Sequence, residues 1–231
     1  MRYPAGLVQA KRKFNPIIDT TMTRLRRSAG ERAFVEAVRQ ASASGPVRVN
    51  IGSGGKPLPG WVNSDVVWRV PLYLDATRAW PVPDESVDFV YADNVIEHIP
   101  LQLGRQLFAH TFRAMKPGGV FRLATPDVEA VARQYLENGE LAQLGLERHR
   151  ERGRDLQYPV QLIQNVFVGA KHYLGFCYDY ASLSAEMEAA GFQTSRQLAG
   201  ESDYPDLRRL ETRVHPAEKA TELIVEGCKP R

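Results

Sequence analysis

Short apolar segments that alternate with turns predict a set of β-strands. Val47, Val49 and Ile51 alternate with polar neighbours, which is the pattern of a short strand. The apolar segments 61–65 and 70–75 each end in an aspartate, so they predict a second and a third strand whose carboxylates emerge at one edge. Further strands are predicted at 86–92, 120–124, 192–198 and 221–226.

Apolar residues at helical spacing predict the elements between these strands. One helix is expected after Pro16, and Ser28 with Glu31 has the form of a capping box that opens a second helix through residue 41. Residues 103–115 form an amphipathic pattern that ends at Lys-Pro-Gly-Gly, and residues 127–138 and 181–190 also read as helices. Strand, helix and strand over 86–124 indicate a βαβ unit, and such units build parallel sheets.

Composition favours one globular unit with a basic N-terminal segment. The chain has 231 residues, 43% of them hydrophobic, and a formal net charge of +3. Eight Lys or Arg residues fall within residues 1–32, against two acids. This segment could meet phosphate or a membrane surface, but it lacks interleaved aromatic residues, so a solvated helix face is the favoured interpretation. Residues 1–45 are therefore expected to form an N-terminal basic arm with helices, ahead of a main domain at 46–231.

Cysteine usage and hydropathy exclude several classes of protein. Cys177 and Cys228 stand alone, which fits neither a disulfide scaffold nor a zinc site, and no metal site is expected. No apolar run approaches the roughly 20 residues of a membrane helix, and the amino terminus lacks the apolar core of a signal peptide. A cytoplasmic protein without a membrane span is expected.

A strand that ends in glycines is the main candidate for a cofactor site. Gly52, Ser53, Gly54 and Gly55 follow the first strand, where glycine lets a ligand approach the backbone at the carboxyl edge of a sheet. A P-loop is excluded because the stretch lacks its leading glycine and has proline after the lysine. A dinucleotide fingerprint is excluded because Pro57 occupies the place of its third glycine.

The turn and the segments behind it resemble the class I S-adenosylmethionine-dependent methyltransferases. The likeness spans residues 47–127 and, more loosely, the rest of the chain, through VNIGSGG, the acid after the second strand, DATRAWPVPDESVDFVYADNVIEHI and FRAMKPGGVFRLATPD. Within the class the chain resembles a group of small bacterial methyltransferases with GSGG, PGW, a later Tyr-Asp and a helix ending Ala-Gly-Phe. It departs from the class at Asn50, where an acid is usual, and at Lys56, which displaces a glycine.

The resemblance implies a fold, a cofactor and a set of binding residues. The fold is an α/β, Rossmann-like, seven-stranded and mostly parallel sheet with helices on both faces and a shortened first crossover. The cofactor is S-adenosyl-L-methionine. Its implied contacts are the turn residues Gly52, Ser53 and Gly54 around the methionine part, Asp65 at the ribose hydroxyls, Asp75 near the adenine, and Asp93 or Asn94 at the mouth after the fourth strand. Asp75 could instead form a local turn, and Trp80 could stack on adenine or belong to the core.

Methyl transfer from a sulfonium is an in-line displacement, so a base is needed mainly for a hydroxyl acceptor. The candidate catalytic residues are His98, His172 and Asp127, with Glu97 at a neighbouring strand end. For His98 the favoured interpretation is a helix-start residue with local hydrogen bonds. His110 and His149 are expected at the surface.

The expected acceptor is a small molecule, either a sugar or glycan hydroxyl or another secondary metabolite, covered by an insertion at 139–180. Relatives in surface-polysaccharide pathways suggest a sugar, and nucleic acid is not an expected substrate because no Asn or Asp followed by Pro-Pro and an aromatic residue follows the fourth strand. The alternative is a non-catalytic cofactor-binding or scaffold protein with a methyltransferase-like fold. The oligomeric state is left open.

Overall fold

Seven strands form one mixed sheet in the order β3-β2-β1-β4-β5-β7-β6 in this computed structural model. The structure describes residues 16–67, 69–170 and 172–231, with the backbone alone for 16–25. The predicted arm at 1–15 lies outside the described residues. The strands are β1 Arg48–Ile51, β2 Val62–Asp65, β3 Leu72–Tyr73, β4 Val87–Asp93, β5 Met115–Pro126, β6 Gln193–Gln197 and β7 Glu222–Cys228.

Helices flank the sheet on both sides. They are α1 Pro16–Ser44, α2 Leu101–Ala114, α3 Val128–Glu137, α4 Glu140–Glu151, α5 Val160–Gln164, α6 Tyr180–Ala189 and α7 Pro216–Ala220. Short 3₁₀ helices lie at Ile96–His98, His172–Leu174 and Pro205–Leu207, and a π-helical turn lies at Asn165–Gly169. Within the described residues, no helix combines the length and apolar composition that a membrane crossing requires.

The predicted fold class is confirmed. Strands β1 to β5 run parallel, and β7 runs antiparallel to both of its neighbours, β5 and β6. The first crossover, residues 52–61, has no regular helix. Asn63 holds this loop, because its amide accepts from Leu58 N at 2.7 Å and donates to the carbonyls of Leu58 and Trp61. The short connection is therefore closed by a side chain of β2.

The prediction of two N-terminal helices is wrong. A single 29-residue helix, α1, runs through the supposed boundary. Ser28 does not cap it: its hydroxyl accepts from Arg32 Nη1 at 2.8 Å, and Glu31 pairs with Arg27. These i,i+4 contacts belong to a helix interior. Burial of Phe34 in the same core as the strands explains why the helix continues.

Strand β5 is longer than predicted, because it begins at Met115 and includes the Lys-Pro-Gly-Gly segment. Its pairing with β4 shifts register between Val87 opposite Met115 and Phe89 opposite Val120. Helix α2 does end where expected, at Ala114. The proline and glycines thus form an irregularity inside the strand, which has the character of a bulge.

A buried arginine lies in the middle of this strand. Arg122 is fully buried, and its guanidinium is paired with Glu211 and Glu226, each at 2.6 Å. It also donates to the carbonyl of Glu201 at 2.8 Å. Two carboxylates and a backbone carbonyl thus satisfy the buried guanidinium, and a buried charge needs such partners. The loop before α7 is tied to the sheet by this network.

Candidate active site

The glycine turn after β1 adopts the conformation that its sequence indicates. Gly52 has φ +65° and Gly54 has φ +50°, both in the left-handed region that favours glycine. A Cβ atom on Gly52 would lie 2.4 Å from Cγ2 of Val95, whereas one on Gly55 would meet no atom within 4 Å. Gly52 is therefore required for packing, and the outer side of the turn at Gly55 is open to a ligand.

Asp65 ties the end of β2 to this turn. One carboxylate oxygen accepts from Gly54 N at 2.9 Å, and the other accepts from Val67 N at 3.0 Å. The residue is only 8% exposed. Each oxygen has a further lone pair, so the carboxylate retains the capacity to accept from a diol. Ser53, also buried, donates its backbone N–H to Ser64 O at 3.0 Å.

Asp75 and Trp80 have local partners. The Asp75 carboxylate accepts from both Thr77 N and Thr77 Oγ1, at 3.2 and 2.6 Å, which is the local turn that the sequence left open. Trp80 is 2% exposed and packs edge-on against Phe34, so of its two interpretations the core position is the correct one. An adenine contact by Asp75 stays a prediction.

A cavity of about 290 Å³ opens at the carboxyl ends of β4 and β5. Asp93, Asn94 and Thr125 line it on the sheet side, and residues of α3, α4, α5 and α7 close it from above. Its volume is at the lower end of the range for small-molecule sites. The predicted mouth residues and part of the predicted insertion thus border one space.

A charged cluster borders this cavity. Arg213 pairs with Asp93, at 2.5 Å, and with Glu222. Burial raises the pKa of Glu222 to about 7. The positive charge of Arg213 lowers this pKa, and the negative charge of Asp93 raises it. Two carboxyl groups share one guanidinium here, so protonation of Glu222 near neutral pH removes the excess negative charge.

The predicted catalytic histidines come together with Glu97. The rings of His98 and His172 form a T-shaped pair with centroids 4.5 Å apart, and His172 Nε2 lies 4.0 Å from Glu97 Oε1. Burial raises the pKa of Glu97 to about 7. Burial, together with His98, lowers the pKa of His172 to about 4, so this imidazole is neutral at neutral pH. His172 lines the cavity.

Asp127 has a structural environment. It caps α3 by accepting from Ala130 N at 3.2 Å, and its other oxygen accepts from Arg196 Nη2 at 2.8 Å. It is 1% exposed and does not belong to the cavity lining within the described residues. Its predicted catalytic role stays a prediction, and its geometry is that of a helix cap.

Several lining residues were missed by sequence reasoning. His149, expected at the surface, borders the cavity from α4, where Arg148 lies beside it. Arg213 and Glu222 reach it from the last third of the chain. No local motif distinguishes these residues from surface charges, because only the packing of α4 and α7 over the strand ends brings them together.

Residues 37–197 match the model of a family described as a methyltransferase domain. The match covers more than half of the chain, which therefore belongs to the class I S-adenosylmethionine-dependent methyltransferases. Over 59 residues the chain is 41% identical to a probable S-adenosylmethionine-dependent methyltransferase of Mycolicibacterium smegmatis. That match covers 26% of this chain and spans only 22% of the relative's length.

Solved methyltransferases also match this chain, at low identity. One, from Thermotoga maritima, is described as a possible histamine N-methyltransferase; it is 16% identical, with a TM-score of 0.45 over 92% of this chain and 95% of that chain. Another is phosphoethanolamine N-methyltransferase 2 of Haemonchus contortus in complex with S-adenosyl-L-methionine. It is 13% identical, with a TM-score of 0.47 over 81% of this chain and 49% of that chain. Both similarities are too remote to indicate an acceptor.

S-adenosylmethionine is the cofactor of this class, and the glycine turn suits it. The backbone at Gly55 is open to a ligand, and Asp65 stands beside the turn with unused lone pairs. Asn50, in place of the usual acid, donates its side-chain amide to Asn63 Oδ1 at 2.9 Å. The asparagine at position 50 therefore helps to hold the residue, Asn63, that closes the short crossover loop. The individual contacts remain predictions.

Proposed function

We propose that the protein transfers a methyl group from S-adenosylmethionine to a hydroxyl group of a small polar acceptor such as a sugar. The cavity beside the cofactor edge carries this proposal. It begins at Asp93, the last residue of β4, and at Asn94, and continues past Thr125 to His172. An acceptor held there would lie next to the glycine edge of the sheet, where this class of fold binds its ligand.

The lining suits an uncharged, hydroxyl-rich molecule better than an anion. Arg148 pairs with Glu151 and Glu218, Arg152 pairs with Glu218, and Arg213 pairs with two carboxyl groups, so these arginines are largely neutralised within the protein. Within the described residues of the lining, Lys56 is the other basic residue that carries a full charge. Amides such as Asn165 add both donors and acceptors to the lining. This balanced polarity supports a sugar hydroxyl over a phosphorylated acceptor.

When bound, S-adenosylmethionine supplies an electrophilic methyl group on a sulfonium. The chain's own contribution is to hold the acceptor oxygen in line, to exclude water and to receive a proton. A cluster of Glu97, His98 and His172 lies beyond the strand ends, with His172 in the cavity lining, and is the candidate for this last task. Thr125 Oγ1 donates to Glu97 Oε2 at 3.0 Å and orients this carboxyl group.

Calorimetric titration with S-adenosylhomocysteine tests the cofactor site. We expect 1:1 binding that is weakened at least tenfold in Asp65→Ala, because the ribose hydroxyls lose their acceptor. Asp203→Ala removes an exposed carboxylate and is the matched control. No binding by the wild-type protein would contradict the enzyme assignment, and unchanged binding in Asp65→Ala would contradict the placement of the ribose.

The acceptor class is tested by turnover. The protein is incubated with S-adenosylmethionine and either methyl glycosides or primary amines of similar size, and S-adenosylhomocysteine is measured. We expect product with the glycosides, with one added methyl on a hydroxyl oxygen by mass spectrometry. Product with amines alone would contradict the hydroxyl acceptor. Binding of S-adenosylhomocysteine without turnover on either set would favour the non-catalytic alternative.

We also propose that 46–231 form the methyltransferase domain of the small bacterial type, with 139–180 as its acceptor-side insertion. The position of α4 and α5 over the cavity supports this division. Asn165→Ala should then raise KM for the acceptor and leave the affinity for S-adenosylhomocysteine unchanged. An unchanged KM would count against an acceptor-binding role for the insertion.

A further inference from the structure

Three potential metal ligands from two distant chain segments meet beside the cavity, and His172 is the one that lines it. Glu97 and His98 end the 3₁₀ helix after β4, and His172 begins the one at the end of the insertion. One ligand atom from each lies within 4.8 Å of the others. We propose that these three side chains bind one divalent transition-metal ion, although the sequence showed no such motif.

The carboxyl group of Glu97 carries this proposal. The residue is fully buried, and Oε2 accepts from Thr125 Oγ1. Among the described residues, nothing donates a hydrogen bond to Oε1, which points toward His172 Nε2 at 4.0 Å. A buried carboxylate oxygen without a partner is costly. A cation between Oε1 and the imidazoles would satisfy it, with Thr125 orienting the ligand from behind.

The position of His172 is set by close backbone packing. A Cβ atom on Gly175 would lie 2.0 Å from the carbonyl oxygen of Glu97. Only glycine therefore allows the backbone at residue 175 to pack this closely against the backbone at Glu97. The N–H of Phe176 then donates to Ile99 O at 3.1 Å. The segment that bears His172 is thereby fastened directly against the one that bears Glu97 and His98.

The donor set indicates the kind of ion. One carboxylate oxygen and two imidazole nitrogens suit first-row ions such as Mn²⁺, Co²⁺ or Zn²⁺, whereas Mg²⁺ and Ca²⁺ favour all-oxygen sites. Bonds of about 2.1 Å place ligand atoms roughly 3 to 3.5 Å apart. The site must therefore contract by about an ångström for one ion to reach all three ligand atoms.

The ion would leave coordination positions directed toward the cavity, since His172 forms part of its lining. An acceptor hydroxyl bound there would be oriented and acidified, and its proton would pass to water, because the three side chains would then act as ligands instead of as the proton acceptor. This role rests on the proposed function. Metal binding itself does not, so the two can fail independently.

Titration of the metal-free protein with Co²⁺, followed by its visible absorption, tests the site. We expect one ion per chain and at least tenfold weaker binding in Glu97→Gln and His172→Ala, as loss of a ligand requires. His110→Ala removes an imidazole on α2 and is the matched control. S-adenosylhomocysteine affinity is measured on the same samples to separate a failed metal site from a failed cofactor site.

Absence of Co²⁺ binding at millimolar concentration overturns the proposal, as does binding that neither substitution weakens. If Glu97→Gln does not fold, thermal denaturation decides. Co²⁺ should raise the melting temperature of the wild-type protein and of His110→Ala, but not of His172→Ala, because only a bound ion stabilises the folded state. An equal rise in all three overturns the assignment.

Discussion

Alanine at Gly52 should destabilise the protein and alanine at Gly55 should not, although the residues are three apart in one turn. At Gly52 the added Cβ would lie 2.4 Å from Val95 Cγ2, and φ is +65°. Left-handed backbone costs an alanine roughly 1 to 2 kcal/mol, and overpacking costs about 1 to 3 kcal/mol. We expect Gly52→Ala to lower the free energy of unfolding by about 3 kcal/mol, or roughly 6 to 12 °C in Tm for a chain of this size.

Gly55→Ala is the matched control, since its Cβ would meet nothing within 4 Å. Its stability should stay unchanged or rise by about 0.5 kcal/mol through reduced freedom of the unfolded chain. Urea denaturation followed by circular dichroism measures both variants. Val95→Ala in the Gly52→Ala background should restore about half of the loss by removing the steric overlap. Equal effects at the two glycines, or no recovery in the double variant, would refute this account of the turn.

Three further outcomes follow from buried polar groups. Arg122→Ala should lower the free energy of unfolding by about 3 to 5 kcal/mol because it leaves two buried carboxylates unpaired. Arg133→Ala, which breaks an exposed ion pair within a helix, should lower it by under about 0.5 kcal/mol. Urea denaturation measures both variants. The folded-state pKa of Glu222 is raised to about 7, so the folded chain binds more protons than the unfolded one above the unfolded pKa. Its contribution to stability is therefore present at low pH and is lost as pH rises toward 7, by up to about 3 kcal/mol. The Tm of Glu222→Gln should therefore depend less steeply on pH than the Tm of the wild-type protein. Equal slopes would contradict the raised pKa. Asp127→Ala should lower stability by about 1 kcal/mol through loss of the α3 cap and leave kcat within about twofold; a larger loss of kcat in the folded variant would support the predicted catalytic role.

Local patterns predicted most of the fold, because strands and helix ends depend on short-range rules. The alternation at 47–51, the aspartates ending β2 and the βαβ unit at 86–124 all placed strands that the structure contains. The error at Ser28 has the same origin. A capping box is a local signal, and the burial of Phe34 on the sheet continues the helix through it.

The site was predictable only in part. Sequence reasoning proposed the glycine turn and the acids at or just after the ends of β2, β3 and β4 because parallel strands end at a common edge, and their contacts with the cofactor stay predictions. His149, Arg213 and Glu222 were not found, because nothing in their own segments marks them.

The sequence by itself determined the class of the protein: the glycine turn, the ordered acids and the methyltransferase segments follow one another along the chain. Tertiary structure alone decided which side chains line the cavity and which lie beside it. Glu97 and His172 are 75 positions apart, yet Gly175 lets their segments touch. Such contacts depend on how an insertion packs over the sheet, and that packing arises from the summed burial of many residues rather than from any local pattern.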